Sequence, residues 1–164
     1  MYATRTHPDW KLVRYCFYTL GHDLLYSLDT GVGAYFLEKV SSSGRFFVLS
    51  HPEGKFLYDT RSGSRIYQVP SRSWVMGFDR SENFLAGFTY PRHDPEDRNS
   101  AEPFTYFVAH IPSGRIIHTF ELYEQFESVR FSGDNRYAFM YGQNRKDLGL
   151  AGVVFDFGRD LKID

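Results

Sequence analysis

The segment AHIPSGRIIHTF, Ala109 to Phe120, sets His110 and His118 around Ser113. A serine with an imidazole in reach is the arrangement of nucleophilic acyl transfer, and paired imidazoles are common metal ligands. Neither chemistry finds support elsewhere in the chain. There is no Gly-x-Ser-x-Gly elbow, and the six histidines, His7, His22, His51, His93, His110 and His118, form no His-x-x-x-His pair and join no cysteine set. Cys16, in RYCFYT, reads as a buried inert thiol. No Gly-Lys-Ser or Gly-Lys-Thr marks a phosphate loop, and TGVG at Thr30 to Gly33 is better explained as a hairpin turn than as a dinucleotide fingerprint. The sequence therefore predicts no catalytic residue, no metal site and no cofactor.

A different explanation for the serine and its histidine lies fifty-one residues upstream. In YDTRSGSRIYQV, Tyr58 to Val69, Asp59 and Gly63 hold the places of His110 and Gly114, with a serine before each glycine and an Ile-containing run after it. A glycine free to take positive φ, after a short polar residue that bonds its own backbone, suits a tight connection between antiparallel strands. Related signals occur at LDTG, Leu28 to Gly31, and DFG, Asp156 to Gly158, so the four glycines lie 32, 51 and 44 residues apart. A second signal opens several units: SSSGRFFVLS from Ser41, FDRSENFLAGF from Phe78 and FSGDNRYAFMYG from Phe131. Each reads as a strand end, a polar turn and an aromatic-rich strand.

These signals define repeats of about four short strands. The first is read as Leu12–Thr19, Leu24–Leu28 and Ala34–Lys39, with Tyr2–Thr6 as an opening strand. The second is Glu38–Ser42, Arg45–His51, Lys55–Thr60 and Ser64–Pro70. The third is Ser73–Arg80, Phe84–Arg92, Phe104–Ile111 and Arg115–Leu122. The fourth is Glu127–Ser132, Tyr137–Gln143, Leu150–Phe157 and a short Asp160–Asp164. In RFFVLS both parities are apolar, which predicts a strand covered on both faces; in GRIIHTFEL, Ile116, His118, Phe120 and Leu122 share one face of a half-exposed strand. An aromatic content of 18% suits pleated surfaces better than helices, and the fold class expected is all-β.

Units of about forty residues with an S-x-D/G-x-R turn and a D-x-x-S/T-G turn resemble the blades of a WD40-like β-propeller. The resemblance covers Glu38 to Phe157 well and the first forty residues more loosely. No unit carries Trp-Asp; Tyr58-Asp59 and Phe155-Asp156 are the nearest equivalents, and Gly21-His22 lies too close to Asp29 to open a repeat. What the resemblance implies is one propeller-like domain over residues 1–164, with blades near 1–39, 38–70, 73–122 and 127–164. A small four-bladed ring, a dimer completing a larger ring and an arc of a longer propeller all fit the spacing, as does a sandwich or barrel.

The repeat fails at PRHDPEDRNSAEP, Pro91 to Pro103, which is polar, punctuated by prolines and carries a charge of −2. It reads as an inserted loop, and Arg92, His93, Asp94, Glu96, Asp97 and Arg98 are its candidate binding residues. A disordered insertion without function fits equally well. Nineteen Lys and Arg against twenty Asp and Glu give a net charge of −1, so no overall field favours a polyanion or an anionic membrane. Arg72, Arg80, Arg145 and Lys146 lie beside aromatics without forming a basic stripe, so nucleic acid is neither supported nor excluded. The single cysteine and the start MYATRTHPDW point to an intracellular, reducing compartment, and no apolar run approaches the roughly 20 residues of a membrane span. The function expected is a non-catalytic interaction scaffold or assembly subunit with a protein partner or a second copy of itself. The alternatives are a propeller-type hydrolase or lyase with a His/Asp/Glu pocket, for example His93 with Asp97, and an RNA-binding or translation-associated propeller fragment.

Overall fold

A computed structural model describes residues 2–6, 14–18, 24–29, 36–91, 102–143 and 150–157. The described residues form fourteen strands in four antiparallel sheets, and none of the sheets closes on itself. No helix among them is long and apolar enough to cross a membrane. Two compact units divide the chain at Ser71/Arg72.

In the first unit, β1 (Tyr2–Thr6), β2 (Arg14–Tyr18) and β3 (Leu24–Asp29) make a three-stranded meander. Next come β4 (Phe36–Val40), β5 (Phe46–His51), β6 (Gly54–Asp59) and β7 (Arg65–Val69), paired in chain order. One assignment from the sequence changes here: Ala34–Lys39, read as ending the first repeat, and Glu38–Ser42, read as opening the second, overlap in one strand, Phe36–Val40, which opens the second because it pairs with β5. The SSSG turn is the reason. Ser41 Oγ accepts the Phe46 N–H at 3.0 Å and folds the chain straight back on Val40. Phe47, Val48 and Leu49 are fully buried, as two-sided cover of RFFVLS predicts, and Tyr58 stacks on Phe47 with centroids 5.1 Å apart.

The second unit holds two sheets. The first is β8 (Ser73–Phe78), β9 (Phe84–Thr89), β10 (Phe104–His110) and β11 (Arg115–Leu122); the second is β12 (Ser128–Phe131), β13 (Tyr137–Gln143) and β14 (Leu150–Asp156). They pack face to face over Met76, Ala86, Phe88, Tyr106, Ala138 and Met140. Full burial of a Phe, Met or Leu side chain stabilises by about 1.5–3 kcal/mol, so this cluster dominates the unit. Phe120 stacks on Phe155 across the two sheets. The first strands of the sheets also meet, where Gly77 lets Val129 approach. Strand β11 departs from simple alternation. A bulge opposite Val108/Ala109 inserts Ile117, so Ile117 packs on the core while Ile116 is 41% exposed. The expected Asp160–Asp164 strand lies outside the described residues.

Candidate functional site

The same turn is built three times, once in each of three sheets. Ser41, Asp79 and Ser132 each accept, through a side-chain oxygen, the backbone N–H five residues on, from Phe46, Phe84 and Tyr137 at 3.0, 2.7 and 2.9 Å. In each turn the fourth residue takes positive φ: Gly44 at 75°, Glu82 at 59° and Asn135 at 59°. Glycine is at ease there, while Glu82 and Asn135 are held by the bonds around them. The fifth residue, Arg45, Asn83 or Arg136, accepts at its carbonyl the N–H of Thr60, Ile111 or Phe157. Two of these residues add a side-chain fork, Arg45 to Asp59 at 3.3 Å and Arg136 to Asp156 at 3.1 and 3.2 Å. The aspartates that stand nearest to a Trp-Asp signature therefore lock the third strand of a sheet to its second.

His110 fills this position in the third repeat. Its Nδ1 lies 2.8 Å from Ser113 Oγ, and Gly114, at φ 63°, donates its N–H to the His110 carbonyl at 3.0 Å. The twin is Gly63, at φ 68°, donating to the Asp59 carbonyl at 2.8 Å. The serine and histidine that suggested acyl transfer do meet, but as turn partners three residues apart. Burial lowers the His110 pKa below its ordinary value and so keeps the ring neutral. His118 stands opposite Val108 and packs among Phe120, Phe155 and Phe157, away from His110's turn. Among the described residues no three His, Cys, Asp or Glu side chains are placed to hold a metal.

Asp79 does more than its counterparts, which the sequence did not reveal. Its carboxylate also accepts the Ser81 N–H at 3.0 Å, the Ser81 hydroxyl and Asn135 Nδ2 at 3.0 Å, the last from the matching turn of the next sheet.

The opposite end of β9 and β10 carries the inserted loop. The hairpin between β5 and β6 needs only Pro52 and Glu53, whereas residues 90–103 separate β9 from β10. The described residues that flank the loop form a stem. Tyr90 N–H donates to the Arg72 carbonyl at 2.9 Å, and Phe88, Tyr90 and Phe104 form an edge-on aromatic trio with centroids 5.2 to 6.3 Å apart. Tyr90 is 40% exposed at the top of this stem. The candidate residues Arg92, His93, Asp94, Glu96, Asp97 and Arg98 lie outside the described residues, as do His7, His22, Arg145, Lys146 and the TGVG segment. The stem and the His110–Ser113 turn stand at opposite ends of seven-residue β10, roughly 20 Å apart at about 3.3 Å per residue.

No family model matches the chain, and no curated protein sequence matches it. Solved structures do. The Dos1 propeller aligns with TM-score 0.53 and 7% identity over 94% of this chain and 41% of its own. An acylaminoacyl peptidase of Pyrococcus horikoshii aligns with TM-score 0.57 and 10% identity over 96% of this chain and 31% of its own. Kuenenia stuttgartiensis hydrazine synthase aligns with TM-score 0.52 and 11% identity over 90% and 46%. The shared feature is the fold: this chain is all-β and propeller-like. It spans less than half the length of each of these chains, and at such identities nothing of their chemistry transfers.

Proposed function

We propose that the chain is a non-catalytic interaction module whose blades present the Pro91–Pro103 loop to a protein partner. The observation that carries this reading is the aromatic trio of Phe88, Tyr90 and Phe104, which flanks the segment that interrupts the repeat. A rigid scaffold that raises a variable loop keeps down the ordering cost of recognition. The polar groups at the other end support it from the opposite side, since His110, Ser113, Asp79 and Asn135 are engaged in hydrogen bonds that build the turns. Kinship with WD40-like repeats belongs to the same reading. It is supported by the Arg45–Asp59 and Arg136–Asp156 forks, which give Tyr58-Asp59 and Phe155-Asp156 a recurring structural role. The lone Cys16 accords with work in a reducing, intracellular compartment.

Replacing Pro91 to Pro103 with a short Gly-Ser turn tests the proposal. The expected result is a melting temperature within about 3 °C of the native chain, because the segment replaced is polar and carries no apolar run, together with loss of the partner that co-purifies with the native chain. Retention of that partner by the loop-replaced chain, or global unfolding, would sink it.

A further inference from the structure

The last sheet has a face constructed like the buried faces of the sheets before it. Residue pairs in register show this: Val48 opposite Leu57, Ala86 opposite Val108, and Phe139 opposite Val154. They are equivalent because Val48, Ala86 and Phe139 each follow by two the aromatic that closes the repeated turn, Phe46, Phe84 or Tyr137. The first two pairs are fully buried, and β12–β14 supply the cover for Ala86 and Val108. Phe139 is 44% exposed and Val154 is 63% exposed. The aromatic surface is also organised. Phe139 stacks on Tyr141 at 5.5 Å and lies over Gly152, where an added Cβ would meet its ring at 2.7 Å.

Charge frames this band. Arg130 on β12 is the register partner of Phe139, and Asp156 on β14 is the partner of Tyr137, so both share the exposed face. We propose that this face is a self-association surface, covered by the same face of a second copy about a two-fold axis parallel to the strands. That axis lays β12 of one copy over β14 of the other and directs Arg130 toward Asp156 of the second copy, where it joins the fork that Asp156 already makes with its own Arg136, twice. An in-plane axis across the strands would instead set Arg130 over Arg130. Aligned sheet faces about 10 Å apart bury such a band well, and two-fold pairs are the commonest closed assembly. The surface is distinct from the Pro91–Pro103 loop and does not depend on it.

Light scattering of the 164-residue chain over two decades of concentration tests the proposal. The mass of two chains is expected at the upper end. Val154→Glu, at an exposed site, should return the mass to one chain with an unchanged far-UV spectrum, and Arg130→Glu should weaken association by about tenfold. The loop-replaced chain should associate like the native one, which separates this proposal from the function of the loop. A single-chain mass for the native protein throughout, or a Val154→Glu variant that associates like the native one, overturns it. If Val154→Glu fails to fold, hydrogen exchange of the unmodified chain decides: protection of β13 and β14 that rises with concentration supports the surface, and protection independent of concentration overturns it.

Discussion

At the scale of single residues, the energetic centre of the repeated turn is Asp79. Ser41 and Ser132 each use one oxygen to fix one backbone N–H, whereas the buried Asp79 carboxylate fixes two and reaches the neighbouring turn through Asn135. Removing it strands the buried Phe84 N–H and the part-buried donors of Ser81 and Asn135. Asp79→Ala should cost roughly 3 kcal/mol and Ser41→Ala about 1 kcal/mol, read from urea midpoints at unchanged slope. Equal costs would show that the inter-turn bond contributes nothing. Histidine supplies a pH test. Arg65 Nε donates to Tyr58 Oη at 3.0 Å, and the same hydroxyl lies 2.8 Å from His51 Nε2. Burial first, then the Arg65 charge, lowers the His51 pKa, with Glu53 opposing. The unfolded chain therefore takes up a proton at His51 more readily than the folded one. Stability is complete above about pH 6.5 and falls as pH drops through the folded-state value. The melting temperature should decline from about pH 7.5 to about pH 5.5, and His51→Gln should lessen the decline, with His110 contributing in the same direction. An undiminished decline in His51→Gln would assign the whole effect elsewhere. The turn roles of Ser41, Asp59 and Gly114 were legible in the sequence because they act within a few residues. The Asp79–Asn135 bond was not, since it joins positions 56 apart and belongs to the packing of two sheets.

At the scale of elements, the sequence located nearly every strand from Arg45 to Phe157, because turn residues punctuate them and aromatic runs fill them. It misjudged two features, and both turn on pairing. Phe36–Val40 is split between Ala34–Lys39 of the first repeat and Glu38–Ser42 of the second, because no local mark says which neighbour it joins, and the bulge at Ile117 reverses a face midway along β11. A sequence period detects neither, because a one-residue insertion in a ladder is set by the partner strand. The best-packed element is β9, buried from Phe84 to Phe88, and its Gly87 marks a close approach: an added Cβ would lie 2.5 Å from the Trp74 carbonyl and 2.6 Å from the Phe107 ring. Gly87→Ala should cost about 2–3 kcal/mol by overpacking against backbone that has no room to shift. The exposed Arg136–Asp156 fork, by contrast, should matter little when Arg136 is changed to Gln, because solvent screens the pair. Thermal or urea unfolding of the two variants gives the order directly, and a larger loss in Arg136→Gln would reverse the view that strand packing outweighs the surface forks.

At the scale of the whole molecule, composition alone indicated an all-β chain, and turn spacing indicated repeated blades. The residues of the proposed self-association face were beyond it, because Phe139 and Val154 are the same kinds of residue as their buried counterparts and only three-dimensional exposure distinguishes them. Their exposure has a thermodynamic consequence. Burying that face against a second copy stabilises the folded state by mass action, so stability depends on protein concentration. For a dimer that unfolds to two chains, each tenfold rise in concentration adds about 1.4 kcal/mol per dimer, or roughly 0.7 kcal/mol per chain. At about 2–4 °C per kcal/mol for a chain of this size, the melting temperature should climb by roughly 1–3 °C per decade. Val154→Glu, which has lost the association, should melt at one temperature at all concentrations. A native chain whose melting temperature is equally indifferent to concentration would mean that the blade face is simply open to water, and that the chain tolerates Phe139 and Val154 there without any second copy to cover them.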